Sequence, residues 1–146
     1  MKRIAIAAMA LVAACAAVKP PTPEIVARQE LMSSNKAALT ELGKMTTGEA
    51  RWDQAAAIRH TTSLMRNAQM IAAKTEKGTG PESGRTRARP EIWTDWDNFL
   101  VAAEKLEDES KAVLDLARAN DEAAVRARFG TIEKACDSCH KPFMAM

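Results

Sequence analysis

Cys136-Asp137-Ser138-Cys139-His140, close to the C-terminus, brings two thiols and an imidazole into little more than one helical turn. Residues three and four apart share a helix face, so on a helix both sulfurs and the ring emerge on one side. That arrangement suits a flat macrocycle: two thioethers fix the porphyrin edge while the neighbouring imidazole reaches the iron. Cys-x-x-Cys-His is the attachment signature of c-type haem. Three other chemistries fit less well. A redox dithiol of the thioredoxin kind requires a βαβ context, and no strand pattern is present. A zinc site lacks a fourth ligand, since His60 is the only other histidine and no second Cys pair follows. A structural disulfide leaves His140 without a role. The spacing predicts one covalent haem c, with Cys136 and Cys139 as its thioethers and His140 as the proximal iron ligand.

The remaining candidates weigh less. Met32 falls in the middle of an apolar helix stripe, where its thioether would complete a His/Met pair, raise the iron's potential and suit electron transfer. Periodicity by itself assigns it no more than core filling, as one of eight methionines. His60, beside Arg59 and two threonines, reads as an ordinary helix histidine and receives no role. The run Arg85, Arg87, Arg89 reads as a solvated loop, and Glu104, Glu107, Asp108 and Glu109 as a solvated helix face.

Positioning these groups requires helices. Ala, Leu, Met, Lys and Glu are abundant, Gly and Pro are few, and the apolar residues recur with a 3.6-residue period. A first helix should start after Thr22-Pro23 and run to about Met45, with Ile25, Arg28, Leu31, Met32, Leu39, Leu42 and Met45 on one stripe. Asp53 should cap a second, through about Lys74, with Ala55, Ile58, Met65, Ala68 and Ala72 facing inward. Residues 77–90, rich in Gly, Ser, Pro and Arg, form the one long loop. Thr94 or Asp95 should cap a third helix carrying Phe99, Ala103, Leu106, Ser110, Val113 and Ala117. Asn120-Asp121 then starts a fourth, whose stripe is Val125, Phe129, Ile132, Cys136, Cys139 and Phe143. The expected fold is all-α: an antiparallel four-helix bundle with haem bound near the C-terminus.

The N-terminus carries an address. Met1-Lys2-Arg3 precedes an apolar run, residues 4–18, that is too short to span a bilayer comfortably and ends in small residues. Residues 1–17 therefore read as a signal peptide and the protein as periplasmic. Val12-Ala13-Ala14-Cys15 resembles a lipobox, which would make Cys15 a lipidated N-terminus and a membrane anchor; cleavage after Ala16 or Ala17 also fits. Residues 18–23 form a Pro-rich tether and residues 24–146 the haem domain. The chain has 21 basic and 19 acidic residues, so loss of Lys2 and Arg3 balances them. Nothing in that charge calls for a nucleic-acid partner.

Four features together resemble the class II c-type cytochromes, that is, cytochrome c-prime and its low-spin, methionine-ligated relatives. They are Arg28-Gln29-Glu30-Leu31-Met32, Gly48-Glu49-Ala50-Arg51-Trp52-Asp53, Arg89-Pro90-Glu91-Ile92-Trp93, and Phe129-Gly130 leading to the Cys-x-x-Cys-His. The resemblance implies a bundle over about residues 24–143, Arg28 near a haem propionate, and the residue at position 32 facing the distal iron. It also implies pairing of two copies through the first two helices. Two positions depart from members that bind nitric oxide. Met144 stands where a basic residue often lies, and Phe143 where Tyr is common.

The expected function is one-electron transfer by Fe(II)/Fe(III) cycling between His140 and Met32, with a redox partner protein and no substrate turned over. Trp93, Phe129 and Phe143 would exclude water. The alternative is a five-coordinate cytochrome c-prime that binds a small gas ligand, nitric oxide or carbon monoxide, with Met32 as a gate.

Overall fold

Capping chemistry sets the helix boundaries. The computed structural model describes residues 19–146, so the leader and the Cys15 reading fall outside the described residues. Helix α1, Pro23–Thr47, starts where Thr22 Oγ1 accepts the Ile25 N–H and Pro23 fills the first turn, where no donor is needed. It stops at Gly48, whose φ of 83° is the left-handed conformation that glycine adopts without strain. Helix α2, Gln54–Met70, begins with the Asp53 carboxylate accepting the Ala56 N–H at 3.0 Å. A single turn, α3, Glu91–Thr94, precedes α4, Trp96–Arg118. Helix α5, Glu122–Phe143, is capped by Asp121, which accepts the Ala124 N–H at 2.9 Å.

Hydrogen bonds between turns establish the antiparallel course. At one end Trp52 Nε1 donates to Asn120 Oδ1 at 3.0 Å, and Gln54 Nε2 donates to the carbonyls of Ala117 and Arg118. The α1–α2 and α4–α5 turns thus lie side by side. At the other end, the Arg85 N–H donates to the Lys19 carbonyl and the Ala145 N–H to the Arg87 carbonyl, so both chain ends meet the long loop. The helices pack in the cyclic order α1, α2, α4, α5, with α1 and α5 the loosest pair. Among the described residues no helix is long and apolar enough to cross a membrane.

The third stripe lies as expected: Phe99, Ala103, Leu106, Ser110, Val113 and Ala117 are all buried on α4. Other expectations need correction. On α2 the buried seam is Ala57, Thr61, Leu64 and Ala68, not Ala55, Ile58 and Met65. Thr61 can face inward because its hydroxyl donates to the Ala57 carbonyl at 2.7 Å, which removes the cost of burying it. The α-helix also ends four residues early, at Met70, and continues as a 3-10 turn, Ala72–Lys74. There Thr75 Oγ1 donates to the Ile71 carbonyl at 2.7 Å. Asp95 precedes α4 without capping it, since its carboxylate accepts from Asn98 Nδ2 instead.

Ser110 Oγ is the one fully buried side-chain polar atom among the described residues with no hydrogen-bond partner. An unmatched buried hydroxyl is destabilising, and Ala is the better helix former. Ser110→Ala is expected to raise unfolding stability by about 1 kcal/mol, measured as a higher urea midpoint at unchanged slope. A lower midpoint would mean that the hydroxyl is matched in the native protein.

Candidate functional site

Between α1 and α5 the bundle opens into a cavity of about 1410 Å³, above the roughly 300–1,000 Å³ of ordinary small-molecule clefts. One face of α1 lines it with Arg28, Met32, Asn35, Leu39 and Gly43, residues spaced by steps of three and four. From the opposite side α5 contributes Phe129, Cys136, Cys139, His140 and Phe143. Phe99, Ala103 and Leu106 of α4 form an apolar floor, and residues 85–88 of the long loop close one edge. A Cβ on Gly43 would lie 3.5 Å from Phe129 Cζ, so α1 and α5 are in contact there.

The structure therefore gathers Cys136, Cys139, His140 and Met32 around one space. The cysteines are half-buried on the cavity wall and not sealed in the core, where Val125, Ile132 and Ala135 carry the closed packing of α5. Met32 and Leu39 likewise leave the core seam of α1 to Leu31, Ala38 and Leu42, with buried Asn35 at the border of seam and cavity. The expected stripes merged two adjoining faces, one packed and one open.

The chemistry of the donor set fits a covalently held haem. Burial pushes both thiols up to about 11, with the Asp137 carboxylate a lesser cause at Cys136 and Cys136 itself a lesser cause at Cys139. No cluster among the described residues has the His, Cys, Asp and Glu needed to hold a bare metal ion. Burial holds the His140 imidazolium disfavoured, with Arg87 adding to this and Asp137 opposing it. The neutral ring keeps a lone pair for iron. Phe143 meets Phe99 edge-on, centroids 5.4 Å apart at 86°, which walls the His140 side with hydrocarbon. Met144 also lines the cavity, and its backbone pairs with Ala88.

Arg28 is only 8% exposed, and its guanidinium reaches into the long loop. Nη1 donates to the Lys74 carbonyl and Thr79 Oγ1; Nη2 donates to the Thr79 carbonyl at 2.9 Å and to Thr86 Oγ1. Trp93 does not line the cavity, contrary to expectation. Its ring lies 5.9 Å from the Arg28 guanidinium carbon, and its Nε1 donates to the Glu76 carbonyl. Phe99 takes its place in the cavity wall. The arginine run is less free than a solvated loop. Arg87 Nε donates to the Ala145 carbonyl and Arg89 pairs with Glu91, while Arg85 stays exposed. Asn35 was hidden from the sequence reading, because a polar residue in an apolar stripe signals an interruption unless its partner is known.

Comparison with known proteins places these features in company. Residues 24–144 match the family described as Cytochrome C'. A cytochrome c-556 from Rhodopseudomonas palustris is 30% identical over 148 residues, covering 98% of this chain and 97% of the relative. A cytochrome c' from the same organism is 30% identical over 129 residues, covering 82% and 85%. Among solved structures, a triple mutant of Rhodopseudomonas palustris cytochrome c' superposes with a TM-score of 0.79 at 27% identity, covering 86% of this chain and 99% of that one.

Proposed function

The chain belongs to the cytochrome c' family and carries haem c, and from that premise we propose that it is a periplasmic one-electron carrier with His140 and Met32 as axial ligands. The observation that carries this reading is the placement of Met32 on the α1 wall of the cavity, facing the α5 wall that holds Cys136, Cys139 and His140. When bound, haem supplies the Fe(II)/Fe(III) couple, and a methionine opposite histidine raises its potential. The chain's own residues then do three things. Cys136 and Cys139 bind the porphyrin edge, the neutral His140 ring gives its lone pair to iron, and Phe99, Leu106, Phe129 and Phe143 keep water away.

Arg28 suits the neighbourhood of a haem propionate. It is a buried cation on the cavity wall whose partners among the described residues are all uncharged, and a buried charge is costly without a counter-ion. The N-terminal leader supports export, and a redox protein is the expected partner. Val26 and Met70, exposed on α1 and α2, suit pairing of two copies through those helices.

A second reading is favoured by the length of the cavity along α1, from Arg28 to Thr47, which offers a diatomic gas room beside Met32. In that case the iron is five-coordinate and Met32 is a gate. One spectrum separates the two. The carrier gives low-spin ferric absorption with a methionine-to-iron band that Met32→Ala abolishes, and its potential falls in the variant. High-spin ferric absorption indifferent to Met32→Ala sinks the carrier reading.

A further inference from the structure

Asn35 is 5% exposed and lies three residues beyond Met32, on the same face of α1 and on the cavity wall. The helical rise places it about 4.5 Å further along the axis. Its side chain is held from one end only. Asn67 Nδ2 donates to Asn35 Oδ1 at 2.8 Å and to Ser34 Oγ at 3.1 Å. With Asn67 Nδ2 donating to it, the Asn35 carbonyl faces α2. Its Nδ2 therefore points the other way. That amino group has no hydrogen-bond partner among the described residues, yet it is not sealed off, since only Ser110 Oγ is both enclosed and unbonded. Asn35 lines the cavity with Met32, Leu39 and Leu106, so the side of the amide turned from α2 is the cavity side.

We propose that Asn35, oriented by Asn67, is the hydrogen-bond donor to the ligand in the sixth coordination position of the haem. The α4 groups in the wall, Phe99, Ala102, Ala103 and Leu106, are apolar, and the polar α1 side chains nearest to Asn35, namely Gln29, Lys36 and Thr40, are exposed at the rim, so this amide is the buried polar contact of the distal wall. A ligand that gathers negative charge on binding iron is held by it; a ligand without an acceptor is not. The proposal rests on the reading that α1 is the distal wall, but it does not require Met32 to bind iron.

The test uses the haem-loaded protein in a Met32→Ala background, which opens the sixth position whether or not Met32 is the native ligand. Carbon monoxide on the ferrous form is the probe. Back-donation from iron puts negative charge on its oxygen, and a nearby N–H dipole increases that transfer and weakens the C–O bond. Asn35→Leu is expected to raise the C–O stretching frequency and to speed carbon monoxide dissociation about fivefold, the size that one neutral hydrogen bond supports. Asn67→Ala frees the amide to turn and should give two C–O bands. If Asn35→Leu does not load haem, Asn35→Ala gives the same two readings. An unchanged stretch and rate in the Asn35 variant overturns the proposal, and a single unshifted band in Asn67→Ala removes Asn67 from it. Loss of the methionine-to-iron band is read separately, so failure of the Met32 reading is distinguishable.

Discussion

With Cys136 and Cys139 both replaced by Ala, the protein is expected to lose all haem on a denaturing gel, where the wild-type band stains for haem peroxidase activity. The reason lies in what remains. His140 offers one coordinate bond, and the cavity walls offer hydrocarbon contact, but neither survives unfolding in detergent. Only bonds from the two half-buried sulfurs on the α5 wall do. The same variant in native buffer separates attachment from shape. Added haem should still bind through His140 and the apolar floor of Phe99, Ala103 and Leu106, and dissociate on dilution. Undiminished haem stain in the double variant would contradict the assignment of these cysteines as the thioethers.

Arg28→Ala is the second large effect, about 3 kcal/mol of lost stability, because several buried acceptors lose their donor at once. The Lys74 and Thr79 carbonyls and the Thr79 and Thr86 hydroxyls all face the guanidinium, and Trp93 covers it. These bonds hold residues 74–86 against α1. The loop is in turn pinned to the N-terminal segment, since a Cβ on Gly84 would meet the Pro20 carbonyl oxygen and come within 2.8 Å of Pro21 Cα. Urea unfolding reads the loss of stability. Limited trypsin digestion reads the release of the loop, as faster cleavage after Arg85 and Arg87. Arg28→Lys should recover little, because an ammonium cannot present two amino groups in a fixed fork. A midpoint within about 0.5 kcal/mol of wild type for Arg28→Ala would show the clamp to be incidental.

Local chemistry was legible without coordinates. Thr22, Asp53 and Asp121 announce helix starts because a short polar side chain ahead of an apolar period has one favourable use, accepting a free first-turn N–H. Cys136, Cys139 and His140 were legible for a similar reason, since their relative placement needs only one turn of helix. Thr61 and Asn35 were not. Each is polar by type and buried in fact, and each is tolerated through a partner, the Ala57 carbonyl or the Asn67 amide. Asn67 lies on another helix, and no periodicity within α1 points to it.

The Cys-x-x-Cys-His, the helical period and the caps by themselves determined that this chain is a helical bundle with a haem attachment face near its end, because those depend on neighbours within a few residues. The tertiary structure alone decided that α1 and α5 part to leave a cavity of about 1410 Å³, that Met32, Asn35 and His140 line that one space, and that Arg28 clamps a loop more than 45 residues away in sequence. Two adjacent helix faces carry the same 3.6-residue signature. Which of them packs and which stays open is settled by the neighbouring helices.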